Sequence, residues 1–470
     1  MAPGKCLTLR ARCVVAAVRA GLNPETAIAQ SRLLPMLAAL ALLLALALLL
    51  ASWRPSIAPI EPPAPASFDA ALVRRGAQLA AVGNCAGCHT ARGGLPYAGS
   101  VPLETPFGTV HGTNITPDTE TGIGRWSETA FRRAMREGVA RHGARLYPVF
   151  PFTHFTSVSD DELHALYAFL MTREPVQAKT PSNRLQFPFN VRPLLAGWSL
   201  LYLDRKPVRA EARMSAEWNR GAYLVRSLGH CSSCHTPRDA LGGEESHRYL
   251  DGGEADGWHA PALNARSPSP LPWTAEQLES YLRSGLAPDH AIAAGPMREV
   301  VEGLARAAPA DVRAIAVYIA SVLGEPTPPR ADKAKASLAR AQRGWMPAAP
   351  DIAASSPAET ALLRQGATVY AGACARCHDA GRGPSSGSAL QLPLAVAVLE
   401  PEPSSLIRMV LHGVSPKDAS PGRWMPGFAS ILTDEQLSAL VVYLRRAAGD
   451  APPWPRVAEA VREARREAQP

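Results

Sequence analysis

The sequence predicts a mainly α-helical protein built of three small domains in tandem, preceded by an N-terminal transmembrane helix or export signal. Three observations predict this architecture. A chain of 470 residues suggests roughly three domains of about 150 residues each. One five-residue pattern, Cys-x-x-Cys-His, occurs three times, and each copy lies between two stretches with helical periodicity. An uncharged apolar run precedes all three copies.

The apolar run covers residues 33–53 and is about 20 residues long, which is enough to cross the hydrocarbon core of a bilayer. Residues 1–32 carry five basic residues and one acid, Glu25. Because positive charge stays on the cytoplasmic side, we expect residues 1–32 to form a basic cytoplasmic N-terminus. The apolar run is either a membrane anchor or a cleaved signal, and both place the remainder of the chain outside the cytoplasm.

The three motifs lie in one repeating frame. Upstream of each motif, a helix-like stretch starts with Arg-Gly or Arg-x-Gly, and its glycine lies 8 to 10 residues before the first cysteine. The differences in length fall just before the cysteine, where a helix can end. These glycines are Gly76, Gly221 and Gly366, and the motifs are CAGCH at 85–89, CSSCH at 231–235 and CARCH at 374–378.

Each repeat closes with a helical pattern that aligns without gaps. Leu163, Val312 and Leu437 share one column, and three and six residues later come further apolar residues that end in the aromatics Phe169, Tyr318 and Tyr443. Steps of three place these residues on one helix face. Capping-box spacing marks two of the helix starts, at Ser159 with Glu162 and at Thr433 with Gln436.

These repeats predict the domain boundaries. The connector at 176–205 is apolar and aromatic, so we expect it to pack on the first two domains or on a partner. The C-terminal tail has a mixed-charge helical pattern, typical of a solvated face. The predicted order is a Pro-rich spacer at 54–67, domains at 68–175, 206–325 and 358–448, the connector at 176–205, a linker at 326–357 and the charged tail at 449–470.

The motif itself indicates covalent haem. Two cysteines about one helical turn apart reach the two vinyl groups of one porphyrin, and the adjacent histidine points at the iron. A zinc site or a redox-active cysteine pair is the alternative for a single copy. Three copies in an exported chain favour three covalently bound haem c groups. The attaching residues are Cys85, Cys88, Cys231, Cys234, Cys374 and Cys377, and the iron ligands are His89, His235 and His378.

The net charge agrees with this interpretation. The formal charge is +8, and the N-terminal segment supplies about half of it. Six propionates on three haems would more than offset the remainder. We therefore do not interpret the basic balance as nucleic-acid binding.

A second iron ligand is expected from a loop before each closing helix, where a methionine sulfur stabilises ferrous iron. Met297 and Met425 occupy that position in the second and third repeats. The first repeat has Phe150 there, in the stretch YPVFPF, and phenylalanine cannot bind iron. Met135 lies too early in the repeat, inside a helical pattern, and is expected in the core.

The most distinctive stretches are FGTVHGTNITPDTETGIGRWSETAFRRAMREG, LYPVFPFTHFTSVSDDELHALYAFLMTREPV and GPMREVV. With the motifs, they resemble the triple-haem cytochrome c subunits of membrane-associated bacterial dehydrogenases that serve alcohol, gluconate and aldehyde dehydrogenases. The resemblance runs from about residue 70 to 445 and implies three tandem class I cytochrome c-like domains. Residues 114–118, with Arg125 and Trp126, would then lie around the edge and propionates of the first haem.

The resemblance also bears on the first repeat. In that family the first-domain segment commonly reads Tyr-Pro-Ala-Met-Pro-Tyr, and its methionine binds the first haem. A subgroup paired with molybdenum hydroxylases of nicotinate or isoquinoline type carries a similar phenylalanine with a histidine shortly after, which His154 matches. His154 is therefore the tentative ligand of the first iron; an open iron, or His111, His142 or His164, are the alternatives.

The function that the resemblance implies is electron transfer. A catalytic dehydrogenase subunit, of alcohol, aldehyde, sugar-acid or molybdenum-hydroxylase type, would deliver electrons. Membrane quinone, a terminal oxidase or a soluble cytochrome would accept them, with the haem domains on the periplasmic side of the bacterial inner membrane. No dinucleotide glycine motif or other cofactor signature indicates catalysis by this chain. The alternatives are a peroxidase-like haem enzyme or a ligand sensor that uses an open first haem.

Overall fold

The structure of the protein is a computed structural model. It describes residues 35–40, 42–43, 46, 52–325, 327–342, 356–379, 390–414, 425–449 and 451–467. Within these residues no helix is both long enough and apolar enough to span a membrane. The predicted cytoplasmic segment 1–32 and about half of the predicted span at 33–53 lie outside the described residues. The described chain is mainly helical, as the sequence predicts.

The first repeat begins with a helix capped by Asp69, whose carboxylate accepts the N–H groups of Ala71 and Leu72. It ends with a helix capped by Ser159. Its elements are α1 (Ala70–Val82), α2 (Cys85–His89), β1 (Pro102–Thr105), β2 (Gly108–His111), α3 (Glu128–Glu137), α4 (Phe152–Phe155) and α5 (Asp160–Met171).

The connector adds β3 (Arg184–Leu185) and α6 (Leu194–Tyr202). Strands β1, β2 and β3 form one antiparallel sheet, in which Leu103 pairs with Val110 and Thr109 pairs with Arg184. On α6, the indole N–H of Trp198 donates to the Leu241 carbonyl, so the connector contacts the second repeat as well.

The second and third repeats also open with a long helix, continue into the motif helix and close with a long helix. The second contains α7 (Ala216–Arg226), α8 (Ser232–His235), β4 (Gly253–Ala255) paired with β5 (Trp258–Ala260), α9 (Ala275–Ser284), β6 (Leu286–Ala287) paired with β7 (Ala291–Ile292), α10 (Pro296–Leu304) and α11 (Pro309–Leu323). After α12 (Pro328–Gln342), the third contains α13 (Pro357–Ala373), α14 (Ala375–His378), α15 (Val396–Leu399), α16 (Ser404–His412) and α17 (Asp434–Ala447), followed by α18 (Val457–Glu467).

One helix crossing recurs in all three repeats. The first and last helices pack together as α1 on α5, α7 on α11 and α13 on α17. At each crossing the helix glycine lies against a carbonyl of the closing helix, where a Cβ would overlap with the oxygen. The pairs are Gly76 with Ala165, Gly221 with Ala314 and Gly366 with Ala439. Only glycine permits this close approach, which explains the spacing found in the sequence.

Among the described residues, the buried apolar side chains form two cores. One cluster contains residues of both the first and the second repeat, from Leu79 to Leu323. The other, from Leu363 to Ala464, belongs to the third repeat and α18. The first two repeats therefore share one hydrophobic core.

Two segments differ from what their composition indicates. Helix α12 forms inside the predicted linker at 326–357. The tail is helical as expected, but Val457, Val461 and Ala464 are buried against the third repeat, so only the opposite face is solvated. The many charged residues of the tail made its apolar stripe hard to recognise in the sequence, although the stripe has helical spacing.

Candidate functional site

Each Cys-x-x-Cys-His motif lies on a short helix that follows the first helix of its repeat. In the first, Cys85 begins α2 and His89 ends it. Among the described residues, the six motif cysteines form no disulfide. Burial, followed by the neighbouring Cys88, raises the pKa of the Cys85 thiol to about 12, and burial acts in the same way on Cys231. Burial therefore favours the protonated thiol at Cys85 and Cys231.

All three motif histidines are oriented by a backbone carbonyl. The distance from the ring Nδ1 to the carbonyl oxygen is 2.6 Å from His89 to Thr113, 2.7 Å from His235 to Pro261 and 3.0 Å from His378 to Leu390. A carbonyl accepts, so Nδ1 carries the proton and Nε2 keeps its lone pair. Burial also lowers the pKa of each ring, which favours the neutral form that a metal requires.

The segment after the motif has the same geometry in the first two repeats. The hydroxyls of Thr90 and Thr236 accept the N–H groups of Tyr97 and Leu250, which both have positive φ. Two residues further on, a glycine N–H donates to the carbonyl of the motif histidine, at 2.8 Å for Gly99 and 2.9 Å for Gly252. The segment that orients the histidine is thus anchored to the motif itself.

These features fit covalent haem better than zinc. Metal-bound histidine usually donates its other ring nitrogen to a carbonyl or carboxylate, as all three motif histidines do here. Structural zinc needs four convergent ligands. Among the described residues, no three His, Cys, Asp or Glu side chains converge as a metal site.

The loop before each closing helix starts at a glycine that ends a helix. These are Gly138 after α3, Gly285 after α9 and Gly413 after α16, all with positive φ. The residue twelve positions later is Phe150, Met297 and Met425 respectively. The distance from the glycine to this residue is thus the same in all three repeats, a regularity not noticed in the sequence. It places Phe150 in the methionine position, in agreement with the distances from the motif histidine and from the closing helix.

The three side chains at this position have comparable surroundings. Phe150 and Met297 are partly buried and pack on the shared core, whereas Met425 packs on the core of the third repeat. Met425 exchanges two backbone hydrogen bonds with Val414, at 2.9 and 3.0 Å. Met135 is only 6% exposed in the core, where the sequence places it.

His154 lies on α4 and faces the second repeat. Its Nε2 is 2.7 Å from Glu244 Oε1, and its Nδ1 is 3.3 Å from the Arg226 carbonyl oxygen. Both ring nitrogens therefore contact acceptors, so binding iron would require His154 to leave Glu244. Its assignment as the sixth ligand stays a prediction.

The other histidines of the first repeat lie elsewhere. His164 is 3.0 Å from Glu128 through Nδ1, and His142 lies on the loop after α3. His111 ends β2, two residues before the carbonyl that holds His89. His111 therefore belongs to the segment on the His89 side, not to the loop that carries Phe150.

The segment at 114–118 is held by hydrogen bonds from the buried side chain of Asn114. Asn114 is 2% exposed, and its amide N–H groups donate to Thr121 and to the Val176 carbonyl. Arg125 is close to Glu61, and Trp126 is partly buried against the core. This compact loop stands beside Thr113, whose carbonyl orients His89.

The fold and the repeated motif together define a c-type cytochrome. A family model described as cytochrome c matches residues 73–174, and one described as cytochrome C oxidase, cbb3-type, subunit III matches residues 361–444. The chain is 34% identical over 404 residues to the fructose dehydrogenase cytochrome subunit of Gluconobacter japonicus, covering 83% of this chain and 82% of that protein.

Two further relatives extend this result. The gluconate 2-dehydrogenase cytochrome c subunit of Pantoea cypripedii is 36% identical over 401 residues, covering 81% of this chain and 86% of the relative. A nicotinate dehydrogenase subunit of Pseudomonas putida is 46% identical over 406 residues, 86% of this chain, but the chain spans only 32% of that protein's length. The chain belongs to the family of cytochrome c subunits of bacterial dehydrogenases, which confirms the resemblance inferred from the motifs.

Proposed function

We propose that this chain is a three-haem electron-transfer subunit that relays electrons from a catalytic dehydrogenase to membrane quinone or the respiratory chain. The observation that supports it most directly is the motif histidine held by a carbonyl in all three repeats. Haem c supplies reversible one-electron chemistry, while the chain supplies attachment, ligation and burial.

The proposed residues act in two sets. The six motif cysteines would form the thioether bonds, and the motif histidines would bind iron through Nε2. Met297 and Met425 would complete the coordination of the second and third haems. His154 is the candidate for the first haem, provided that its ring leaves Glu244.

The partner proposal rests on the relatives. Their names describe subunits of nicotinate, fructose and gluconate dehydrogenases, so we propose a separate catalytic dehydrogenase as the electron donor. Quinone, a terminal oxidase or a soluble cytochrome would be the acceptor. Residues 33–53 would hold the chain at the inner membrane, with the haem domains in the periplasm.

The haem count tests the proposal. Purified from an exporting host with a competent attachment system, the chain should carry three haems that resist acid-acetone extraction, measured as the pyridine haemochrome. Fewer than three would overturn the count. N-terminal sequencing of the same preparation tests the anchor, because a start after residue 51 in a soluble protein would show a cleaved signal.

One observation favours a second candidate function. Phe150 occupies the methionine position, and both ring nitrogens of His154 contact other groups. An open first iron would allow peroxide turnover or gas binding. Hydrogen-peroxide turnover by the isolated chain would support the peroxidase-like alternative, and carbon-monoxide binding without turnover would support the sensor.

A further inference from the structure

Four charged side chains meet where the first repeat contacts the second. Arg75 Nη1 lies 2.6 Å from Asp311 Oδ2, and Arg75 Nη2 lies 3.2 Å from Glu162 Oε1. Arg220 Nε lies 2.8 Å from Asp311 Oδ1, and its Nη2 lies 2.8 Å from Glu162 Oε1. Each arginine therefore binds both carboxylates, one from its own repeat and one from the other. We call these four residues the charge cluster.

The charge cluster is reciprocal. Arg75 and Arg220 each precede the glycine of the helix crossing, and Glu162 and Asp311 occupy one column of the closing helices. The two acids are only 9% and 6% exposed. Buried carboxylates need charged or hydrogen-bonded partners, so either acid alone would strongly disfavour this packing. Tyr223 adds a hydroxyl hydrogen bond of 2.7 Å to Glu162.

The third repeat lacks these charges. Gln365 and Gln436 stand at the positions of the arginines and the acids. The side chain of Gln436 instead accepts the backbone N–H of Thr433 and closes a capping box. The third repeat contacts the second differently, through Ser405 and Arg408 on α16, which donate to the carbonyls of His259 and Gly257.

The interface that contains the charge cluster also contains the first two haem-attachment motifs. Two residues before Cys85, a Cβ on Gly83 would stand 3.0 Å from Leu228. The ring of Phe155 lies 5.6 Å from that of His230, the residue before Cys231.

Each of the first two repeats contacts the attachment motif of the other. The loop carrying Phe150 continues into α4 beside the second motif. Helix α10, which carries Met297, packs on α1 and α2 beside the first motif, with Gly303 against the Ala81 carbonyl. Each repeat thus places the segment after its sixth-ligand position next to the other repeat's attachment motif.

We infer that the charge cluster of Arg75, Glu162, Arg220 and Asp311 locks the first two repeats into one two-haem unit, with both attachment motifs at a single fixed interface, and that the third repeat is attached separately. The inference rests on the proposed haem attachment. These four side chains are positioning residues: they touch neither motif but set the relation between the two. Groups fixed at short range interact electrostatically, so the potentials of the first two haems depend on each other.

The test is the haem-loaded full chain with all four residues replaced by the third repeat's glutamine, R75Q/E162Q/R220Q/D311Q. This variant leaves no unpaired buried charge. Arg313→Gln is the matched control. Arg313 lies on the same helix as Asp311, and the ion pairs it makes with described residues all lie within the second repeat, with Glu276 at 2.9 Å, Glu279 at 3.4 Å and Glu217 at 3.9 Å. Two quantities are measured: trypsin cleavage of the 176–205 connector, and the potential of each haem by redox titration followed by electron paramagnetic resonance.

The parent and Arg313→Gln should show slow cleavage and coupled titration of two haems. The quadruple variant should keep three haems, be cleaved about tenfold faster because the interface opens more often, and titrate its first two haems independently. Unchanged cleavage and coupling in the quadruple variant, or equal changes in the control, would overturn the inference. If the quadruple variant does not accumulate, Glu162→Gln alone is compared with the same control, by the same criteria. The haem count of each sample separates this outcome from failure of the proposed function, which would appear as missing haem in the parent.

Discussion

The ring Nε2 of His154 lies 2.7 Å from the carboxylate of Glu244, and this contact joins the loop after Phe150 to the second haem-attachment motif. Glu244 Oε1 also accepts the hydroxyl of Ser233, which stands between the two motif cysteines, at 3.2 Å. Although burial opposes ionisation, the hydrogen bond and charge of His154 lower the pKa of Glu244 to about 2. Glu244 is therefore an anion over most of the pH range, and His154 must leave this anion before its ring can bind iron.

This contact yields a prediction for the first haem. Because loss of the proposed sixth ligand would open the first iron, we expect His154→Ala to convert one low-spin haem signal to high spin in electron paramagnetic resonance, and an unchanged spectrum would exclude His154 as a ligand. Glu244→Ala is the companion variant, since it frees the ring without removing it. Conversion of one low-spin signal to high spin in His154→Ala alone would establish His154 as the sixth ligand.

Removal of Met297 should lower one haem potential. We expect Met297→Ala to keep its haem attached but to lower that potential by on the order of 0.1 V, because thioether sulfur favours ferrous iron. Redox titration measures this shift. Met135→Ala is the control, since Met135 is a core residue of the first repeat and its loss should affect stability only. Identical titrations of the parent and Met297→Ala would exclude Met297 as a ligand.

Two glycines on α13 should respond in opposite directions to the same substitution. A Cβ on Gly366 would overlap with the Ala439 carbonyl, so Gly366→Ala should lower the free energy of unfolding by about 1–3 kcal/mol. Gly372 has no atom within 4 Å of the added Cβ, so Gly372→Ala should stabilise the helix by up to about 1 kcal/mol. Calorimetry of both variants compares them, and equal effects would contradict the close crossing.

The buried acid Glu400 predicts that the stability of the third repeat depends on pH. It is 3% exposed, and its Oε2 has no hydrogen-bond partner within the described part of the chain. Burial raises its pKa from 4.5 to about 8, although the Ser405 hydroxyl acts in the opposite direction. Between these values the folded state holds a proton that the unfolded state has released. The stability contributed by the protonated acid is therefore lost as the pH rises through 8.

We expect the unfolding temperature of the parent to fall as the pH rises from about 5 to 8, corresponding to a few kcal/mol from this group. Glu400→Gln should remove most of this slope, because the amide does not titrate. Glu402→Gln provides the control, since Glu402 is exposed two residues away. A slope that persists in Glu400→Gln would assign the pH dependence to other groups.

Much of the site could be predicted from residue spacing. The motif spacing located the attachment helices, and the counts from each motif to its closing helix located Phe150, Met297 and Met425. These features are local in sequence and depend on helix geometry. The carbonyls of Thr113, Pro261 and Leu390 could not be predicted, because a backbone group carries no signal in residue type.

The relation between the repeats was also hidden from the sequence. Ser159 and Glu162 have capping-box spacing, and the Ser159 hydroxyl does accept the Glu162 N–H at 3.3 Å. The Glu162 carboxylate, however, turns to Arg75 and Arg220 instead of closing the box. Ion pairs between residues distant in sequence therefore replaced the capping box that the local spacing predicts. Sequence spacing could not reveal them, because residues 75 and 311 meet only in the folded chain.

The arrangement of Arg75, Glu162, Arg220 and Asp311 has the form of a dimer contact made within one polypeptide. Each arginine pairs with the acid of its own repeat and with the equivalent acid of the other repeat, as equivalent residues do across an isologous dimer interface. Because the connector at 176–205 joins the two halves covalently, their association is intramolecular, and dilution does not separate them.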